Sequence, residues 1–215
     1  MLIDKTYFQA EISIPNLQEE DFNNKLIDVL IEGKSYSLLE SVLNPDLFDL
    51  LKDNCEDGYL NEDAPQELKD LVFGKKYEIN DRVYRFKGLI HEGDLYRSSL
   101  IADYVYCHWL IQTRSQLVDV GEVVINAQNS TNVTSDSKLI KVWNRFFNAL
   151  NGDYCNRGIH YKHKGVLVSD YYGQGNSNNV SLFKFLADNQ EVYGLNPFIL
   201  PEDAPFYERI NHLGL

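Results

Sequence analysis

The sequence predicts a mainly α-helical fold: a helical bundle with a small β-hairpin or strand element and a long irregular C-terminal excursion. Two segments carry the helical period most clearly, one from Asp94 to about Val118 and one that begins near Ser135. Two β-rich triplets flank Asn80-Asp81, which indicates a hairpin. Residues 151–180 follow neither the helical nor the strand period.

The length of 215 residues suits one domain of ordinary size with an added excursion. We divide the chain into a helical core of residues 1–150, an irregular loop or β excursion of residues 151–180, and a C-terminal helix and tail of residues 181–215. The excursion is rich in Tyr, Asn, Gly and Ser, with Val166-Leu167-Val168 as a possible strand. Because such a composition is typical of adaptable contact surfaces, we expect the excursion to contact other subunits or proteins.

The first third begins with a short strand or extended arm over residues 6–14, predicted from its loose alternation. A helix follows from Glu19, and Gly33 is expected to end or kink it. Asn44 is suited to cap the next helix, with Pro45 at its first position. After an acidic loop over residues 55–64, Pro65 opens a short helix.

The segment 94–118 is apolar on more than one side, which predicts the central, most buried helix. A connecting loop is expected over 119–134. In the next helix, capped by Ser135 or Asp136, the apolar residues recur at i, i+4, i+7 and i+11, and Gly152 stops it. This stripe comprises Leu139, Trp143, Phe146 and Leu150. A last short helix, Leu182 to Ala187, follows a cap at Val180-Ser181.

Charge is strongly segregated along the chain. Residues 1–73 contain 17 Asp/Glu and 5 Lys/Arg, a net charge of −12, whereas residues 74–215 contain 15 of each. Nucleic-acid affinity depends mainly on Lys and Arg that neutralise phosphates, so an acidic third would repel DNA. The basic residues of the remainder are scattered at 75–87, 138–145 and 157–164 rather than gathered in one stripe.

The composition favours a protein that is made in a cytoplasm and stays there. No apolar run reaches the roughly 18 residues of a membrane helix, and the N-terminus does not resemble a signal peptide. The three cysteines, Cys55, Cys107 and Cys155, are distant and odd in number, which favours reduced, incidental thiols over a disulfide framework.

Two groups of residues are candidates for chemistry, and neither satisfies its requirements. Cys155, His160 and His163 could be zinc ligands, but their spacing is loose and no fourth ligand is evident. Cys107 and His108 are adjacent in the long helix, where neighbouring side chains do not face each other as a nucleophile–base pair must. Core packing is the better interpretation of that pair.

Two further motifs are weaker still. Gly173-Gln-Gly175 lacks the Gly-Lys-Ser/Thr and the buried strand of a phosphate loop. The acidic run 53–63 lacks the ligand spacing and central glycine of a calcium loop, so it is interpreted as a solvated acidic face. We therefore expect from the sequence that the protein is not an enzyme, and we assign no catalytic residue, no cofactor-binding residue and no metal ligand.

The order of elements resembles that of the head-tail connector, or neck adaptor, proteins of tailed bacteriophages, especially phages of Bacteroidota. The resemblance rests on an N-terminal segment with Phe8, two acidic amphipathic helices, the long aromatic helix after Gly88-Leu89, and the helix of Trp143. Further short motifs that contribute are Pro45-Asp-Leu-Phe-Asp-Leu-Leu51, Gly121-Glu-Val-Val, Val180-Ser-Leu-Phe-Lys-Phe-Leu186 and Asn211-His-Leu-Gly-Leu215. The excursion at 151–180 departs from shorter connectors.

The resemblance implies a structural virion protein whose subunits form a ring, usually twelvefold, that joins the portal protein to the tail or other neck proteins. Double-stranded DNA would pass through the lumen without specific binding, and no membrane would be involved. The protein would lie at the neck of the virion, and in the host cytoplasm before assembly. The alternative is a small cytosolic enzyme or regulatory domain, which invariant polar residues converging in a pocket would favour.

Overall fold

The computed structural model of the chain describes residues 2–15, 17, 22–56, 58–93, 96–118, 121–124, 135–151 and 178–194. Over these residues the fold is mainly α-helical with small strand elements, which confirms the predicted class. The helices are α1 (Phe22–Val42), α2 (Pro45–Asp53), α3 (Gln66–Phe73), α4 (Leu100–Arg114), α5 (Ser135–Asn151), α6 (Leu182–Asp188) and α7 (Gln190–Tyr193). The strands are β1 (Cys55–Glu56), β2 (Tyr59–Leu60), β3 (Lys75–Ile79), β4 (Arg82–Phe86), β5 (Ile90–Glu92), β6 (Arg97–Ser99), β7 (Ser115–Val118), β8 (Gly121–Val124) and β9 (Asn179–Val180).

The centre of the fold is α4, which packs against both α1 and α5. Ile101, Ala102, Val105 and Cys107 of this helix are completely buried. Since successive turns bury residues on more than one side, α4 is the central helix that the sequence predicts.

The predicted bounds of that helix, 94–118, are too wide. Residues Arg97–Ser99 form β6, which pairs antiparallel with β5, and α4 begins at Leu100. The side chain of Ser99 fixes this start, because its Oγ accepts a hydrogen bond from the Ile101 N–H at 3.0 Å and donates one to the Leu89 carbonyl at 2.8 Å.

The segment that follows α4 also differs from the prediction. Instead of a continuous connecting loop over 119–134, Ser115–Val118 and Gly121–Val124 pair as the antiparallel strands β7 and β8. The β-branched run Val123-Val124 was the available sign of a strand. Residues 125–134 lie outside the described part of the chain.

The N-terminal segment is compact rather than extended, so the predicted strand or arm over 6–14 is wrong. Two short 3-10 turns, Lys5–Tyr7 and Ala10–Ile12, replace it. The Asp4 carboxylate accepts a hydrogen bond from the Thr6 N–H at 2.8 Å, which bends the chain locally. Apolar side chains that suggested a strand are instead buried in the core, among them Tyr7, Phe8 and Ile12.

Gly33 does not end the first helix, since α1 is one helix of 21 residues that continues to Val42. A glycine within a helix costs roughly 1 kcal/mol relative to alanine. The burial of apolar side chains on both sides of Gly33 stabilises the helix by more than that cost. These side chains are Leu30 and Ile31 before it and Leu38 and Leu39 after it.

Several local predictions are confirmed. Asn44 caps α2 by accepting a hydrogen bond from the Leu47 N–H at 2.7 Å, with Pro45 as the first helical residue. Asn80 and Asp81 both have positive φ, as a tight hairpin turn between β3 and β4 requires. Ser181 caps α6.

The acidic loop 55–64 is partly structured. Cys55–Glu56 and Tyr59–Leu60 pair as the short antiparallel strands β1 and β2, which the sequence did not predict because each is only two residues long. The helix after Pro65 is present as α3, with Leu68, Leu71 and Val72 buried.

Candidate interaction surfaces

The β3–β4 hairpin has an aromatic inner face that packs against α6. Tyr77 and Tyr84 are cross-strand partners with ring centroids 5.7 Å apart, and Phe86 stacks on Phe185 of α6 at 4.3 Å. The Tyr77 hydroxyl donates to Asp188 at 2.6 Å. Burial, followed by this hydrogen bond, raises the pKa of Tyr77. Strand β9 also pairs parallel with β4, so contacts with both α6 and β9 hold the hairpin in place.

Two glycines hold the base of the hairpin together. Gly74 and Gly88 flank it, and both have φ near +90°. A Cβ added to Gly88 would lie 2.6 Å from the Gly74 nitrogen and 2.5 Å from the Val72 carbonyl oxygen. Only glycine therefore permits the close approach that fixes the hairpin against α3.

The outer face of the hairpin is basic, and we call it the hairpin surface. It is formed by the exposed residues Lys76, Glu78, Val83, Arg85 and Lys87. Lys76 is directly opposite Arg85, and Glu78 is opposite Val83, so strand alternation places these four side chains on one face. Lys87 follows directly after the end of β4. Val83, the apolar residue of the hairpin surface, is 49% exposed.

A second surface of opposite charge lies on α2, and we call it the helix surface. It comprises Asp46, Asp49, Leu50 and Asp53, all exposed. The spacing i, i+3, i+4 and i+7 puts them on one stripe of the helix, opposite the buried residues Leu47, Phe48 and Leu51. Leu50 is 42% exposed among these carboxylates.

Most other acidic residues of the first third are also exposed where the structure describes them. These are Glu32, Glu40, Glu56, Glu62, Asp63 and Glu67. Two further acidic residues form ion pairs: Asp28, which is also exposed, with Lys5, and Asp70 with Lys75. The described part of the run 53–63 is thus a solvated acidic face, as the sequence predicts.

A cluster of ion pairs joins the N-terminal segment to α4 and α5. Arg145 donates from Nε and Nη2 to the two carboxylate oxygens of Asp103, at 2.7 and 2.5 Å, and from Nη1 to Glu11 at 2.7 Å. Lys141 also pairs with Glu11. The hydrogen bond from Lys141 is the largest cause that lowers the pKa of Glu11, and the hydrogen bonds to Asp103 raise that of Arg145.

This ion cluster engages two cations of the basic group at 138–145. Its members Lys141 and Arg145 are held by carboxylates of the same chain. They are therefore less available to a phosphate or an acidic neighbour than the sequence alone suggested. Burial of Asp103 raises the pKa of that carboxyl against the opposing effect of Arg145.

The Cys107–His108 pair is part of the core. Both residues are buried on α4, Cys107 completely and His108 at 8% exposure, so a substrate could not reach the thiol. The imidazole lies edge-on to the Tyr104 ring at 4.5 Å. Burial, together with the charge of Lys34, lowers the pKa of His108 to about 4.

The lowered pKa predicts acid sensitivity that depends on His108. In the unfolded chain the imidazole takes up a proton near its ordinary pKa of 6.5, but in the folded chain only near 4. The stability that this difference contributes is present above the unfolded value and is lost as the pH falls toward the folded value. We expect a loss of about 2 kcal/mol from His108 alone between about pH 7.5 and about pH 5.

Urea unfolding at both pH values would measure this loss. His108→Phe removes the titration while it keeps an aromatic ring, so the variant should lose about 2 kcal/mol less than the native protein over that interval. Equal losses in both proteins would show that the folded imidazole titrates normally.

The remaining sequence candidates are not brought together by the described structure. Cys155, His160, His163 and the segment 173–175 lie outside the described residues, as does most of the 151–180 excursion. Among the residues that are described, no group of three or more His, Cys, Asp or Glu is arranged to hold a metal ion.

Neither the two surfaces nor the ion cluster was predicted from the sequence. The helix surface could have been found from the i, i+3, i+7 spacing of Asp46, Asp49 and Asp53. For the ion cluster the available signal was Asp103, an acidic residue inside the most apolar helix.

Comparison with known proteins does not supply a relative. No protein-family model matches the chain, and neither a curated protein nor a solved structure shows significant similarity to it. Within the described helices, none is long and apolar enough to cross a membrane.

Proposed function

We propose that this chain is a structural subunit of the neck of a tailed bacteriophage, where copies of it form a ring that joins the portal to the tail and lets DNA pass. Its place would be the virion, after a period in the host cytoplasm. The proposal follows the resemblance in the order of elements. Its role is structural rather than catalytic, and we expect twelve copies in the ring.

The observation that carries the proposal is the exposure of unpaired carboxylates from the first third of the chain. Within the described residues, Glu32, Glu40, Glu56, Glu62 and Asp63 are exposed, lie outside the helix surface and form no ion pair with another described side chain. A negative surface repels the phosphates of duplex DNA. Such a surface suits a lumen or rim along which DNA must slide without adhering.

The first test is a mobility-shift titration of the purified protein with duplex DNA. At about 0.15 M salt, the physiological ionic strength, we expect no measurable binding, because counterion release offers this surface little affinity. Tight binding with a steep dependence on salt would contradict the proposal and favour a function in nucleic-acid handling.

The second test concerns the partner. The genes that flank the coding sequence should include those of a portal protein and of tail proteins, and the purified portal protein should retain this chain in a pull-down. Lysozyme, a basic protein of unrelated shape, controls for purely electrostatic retention. Flanking genes of unrelated metabolism, together with no retention by a portal protein, would contradict the neck assignment.

A further inference from the structure

We infer that the hairpin surface of one copy of this chain binds the helix surface of a second copy, so that subunits associate head to tail. The inference rests on the proposed ring and names the contact that would build it. A heterologous contact of this kind joins two different patches, and it generates a closed ring when the rotation between subunits closes.

The hairpin surface carries a local electrostatic cost that an acidic partner would remove. Lys76 and Arg85 are directly opposite each other on adjacent strands, and like charges at such positions destabilise a sheet. Among the described residues neither side chain has a carboxylate partner, whereas Lys75 on the inner side is paired with Asp70 at 2.7 Å. Lys76 and Arg85 are therefore held next to each other on the outer face of the hairpin, without a carboxylate partner among the described residues.

The helix surface matches this arrangement in charge and in apolar content. Asp46, Asp49 and Asp53 lack a cationic partner within the described part of the chain, and Leu50 is exposed between them. Across the contact, Leu50 would meet Val83 while the carboxylates meet Lys76, Arg85 and Lys87. Isolated surface ion pairs are weak, but several opposed charges around an apolar centre give an interface both attraction and register.

The two surfaces are also similar in length. From Asp46 to Asp53 the helix rises about 10 Å, and strand β4, from Arg82 to Phe86, spans about 13 Å. A rigid strand pair and a rigid helix can therefore align their charges without rearrangement of either backbone.

A second copy explains the hairpin surface better than a nucleic acid does. Glu78 interrupts its cations, and the chain as a whole has a net charge of −12, so long-range electrostatics opposes approach to DNA. The same charge distribution favours contact with a surface such as α2, since the acidic residues lie in one third of the chain and the hairpin lies outside it.

Charge reversal tests the contact. We expect the native protein to form closed oligomers at low ionic strength in sedimentation velocity and mass photometry. Lys76→Glu with Arg85→Glu should make the hairpin acidic and abolish association, and Asp49→Lys with Asp53→Lys should do the same by making the helix basic. All four residues are exposed, and circular dichroism would verify that each variant is folded.

The decisive measurement is an equimolar mixture of the two charge-reversed variants. In the mixture the acidic hairpin can meet the basic helix, and the native hairpin can meet the native helix, so alternating oligomers should form again. Lys25→Glu, an exposed change on α1 outside both surfaces, serves as the charge control and should assemble normally. Native oligomers should also dissociate as salt is raised from about 0.05 M to about 0.5 M.

The outcomes separate this inference from the proposed function. The inferred contact would be wrong if both variants assembled as the native protein does, or if the mixture stayed monomeric while the native protein formed oligomers. The neck assignment would be unaffected by these results, because binding to the portal protein tests it separately. If the native protein stayed monomeric at high concentration and low salt, pairing between copies would be excluded. Retention of duplex DNA by the native hairpin, lost in the hairpin variant, would overturn the inference in favour of nucleic-acid binding.

Discussion

Trp143→Ala is expected to lower the free energy of unfolding by about 3–5 kcal/mol. The indole is 3% exposed on α5. It lies 5.2 Å from the Phe146 ring and 6.2 Å from the Tyr104 ring of the central helix. Removal of the indole would leave a cavity between α4 and α5, which a close-packed core fills only in part.

Urea unfolding monitored by far-UV circular dichroism would measure this loss. Asn144→Ala is the matched control, because Asn144 follows on the same helix but is exposed, so its loss should stay within about 0.5 kcal/mol. A loss below about 1 kcal/mol for Trp143→Ala, in the range of surface substitutions, would mean that α5 does not pack on the bundle through this ring.

The stripe of α5 shows how much of the fold could be predicted from the sequence. Leu139, Trp143, Phe146 and Leu150 are all buried, because their spacing keeps them on one face whatever the rest of the chain does. Caps and tight turns were also predictable, since Asn44, Ser181 and Asn80-Asp81 act through residues only a few positions away.

Features that depend on distant parts of the chain were not predictable in the same way. The propensity of Gly33 to end a helix was outweighed by packing of buried side chains on both sides of it. Strand β6 forms only because β5 is its partner, and three residues such as Arg97–Ser99 carry too little periodicity to reveal a strand.

The same limit explains why the candidate surfaces were missed. The sequence showed that the first third is acidic, but not that Asp28, Asp70 and Glu11 are paired with cations of the same chain while Asp46, Asp49 and Asp53 are not. Separating the paired from the unpaired carboxylates requires contacts between residues far apart in sequence, and the carboxylates of the helix surface are among those that remain unpaired within the described residues.

The ion pair between α4 and α5 is one such contact, and Arg145→Met should break it at a cost of about 3 kcal/mol near neutral pH. Asp103 and Arg145 are 42 positions apart, and the side chain of Asp103 is only 9% exposed. Without the guanidinium, a buried carboxylate would lack its cation, which is strongly destabilising. The expected cost is at the lower limit for a buried pair because the Arg145 side chain is 39% exposed.

The cost should depend on pH in a direction opposite to that of His108. In the Arg145→Met variant, burial and, to a smaller extent, the charge of Glu11 act on Asp103 without the opposing guanidinium, so the folded pKa of Asp103 lies further above the unfolded value of 3.8. A group whose folded pKa is raised contributes stability that is present below its unfolded pKa and is lost as the pH rises. The variant should therefore be closest to the native protein near about pH 4 and fall behind it toward about pH 8.

Two further variants identify the cause. Lys141→Met removes an exposed cation whose ion-pair partner among the described residues is Glu11, so the substitution should cost less than about 1 kcal/mol. The double variant Asp103→Leu with Arg145→Met removes both charges and should recover most of the loss, since no buried carboxylate remains to be desolvated. Two results would contradict the ion-pair explanation: a double variant as unstable as Arg145→Met, or a loss of stability in Arg145→Met that does not change with pH. Either result would mean that the aliphatic part of Arg145, and not its charge, stabilises the packing of α4 on α5.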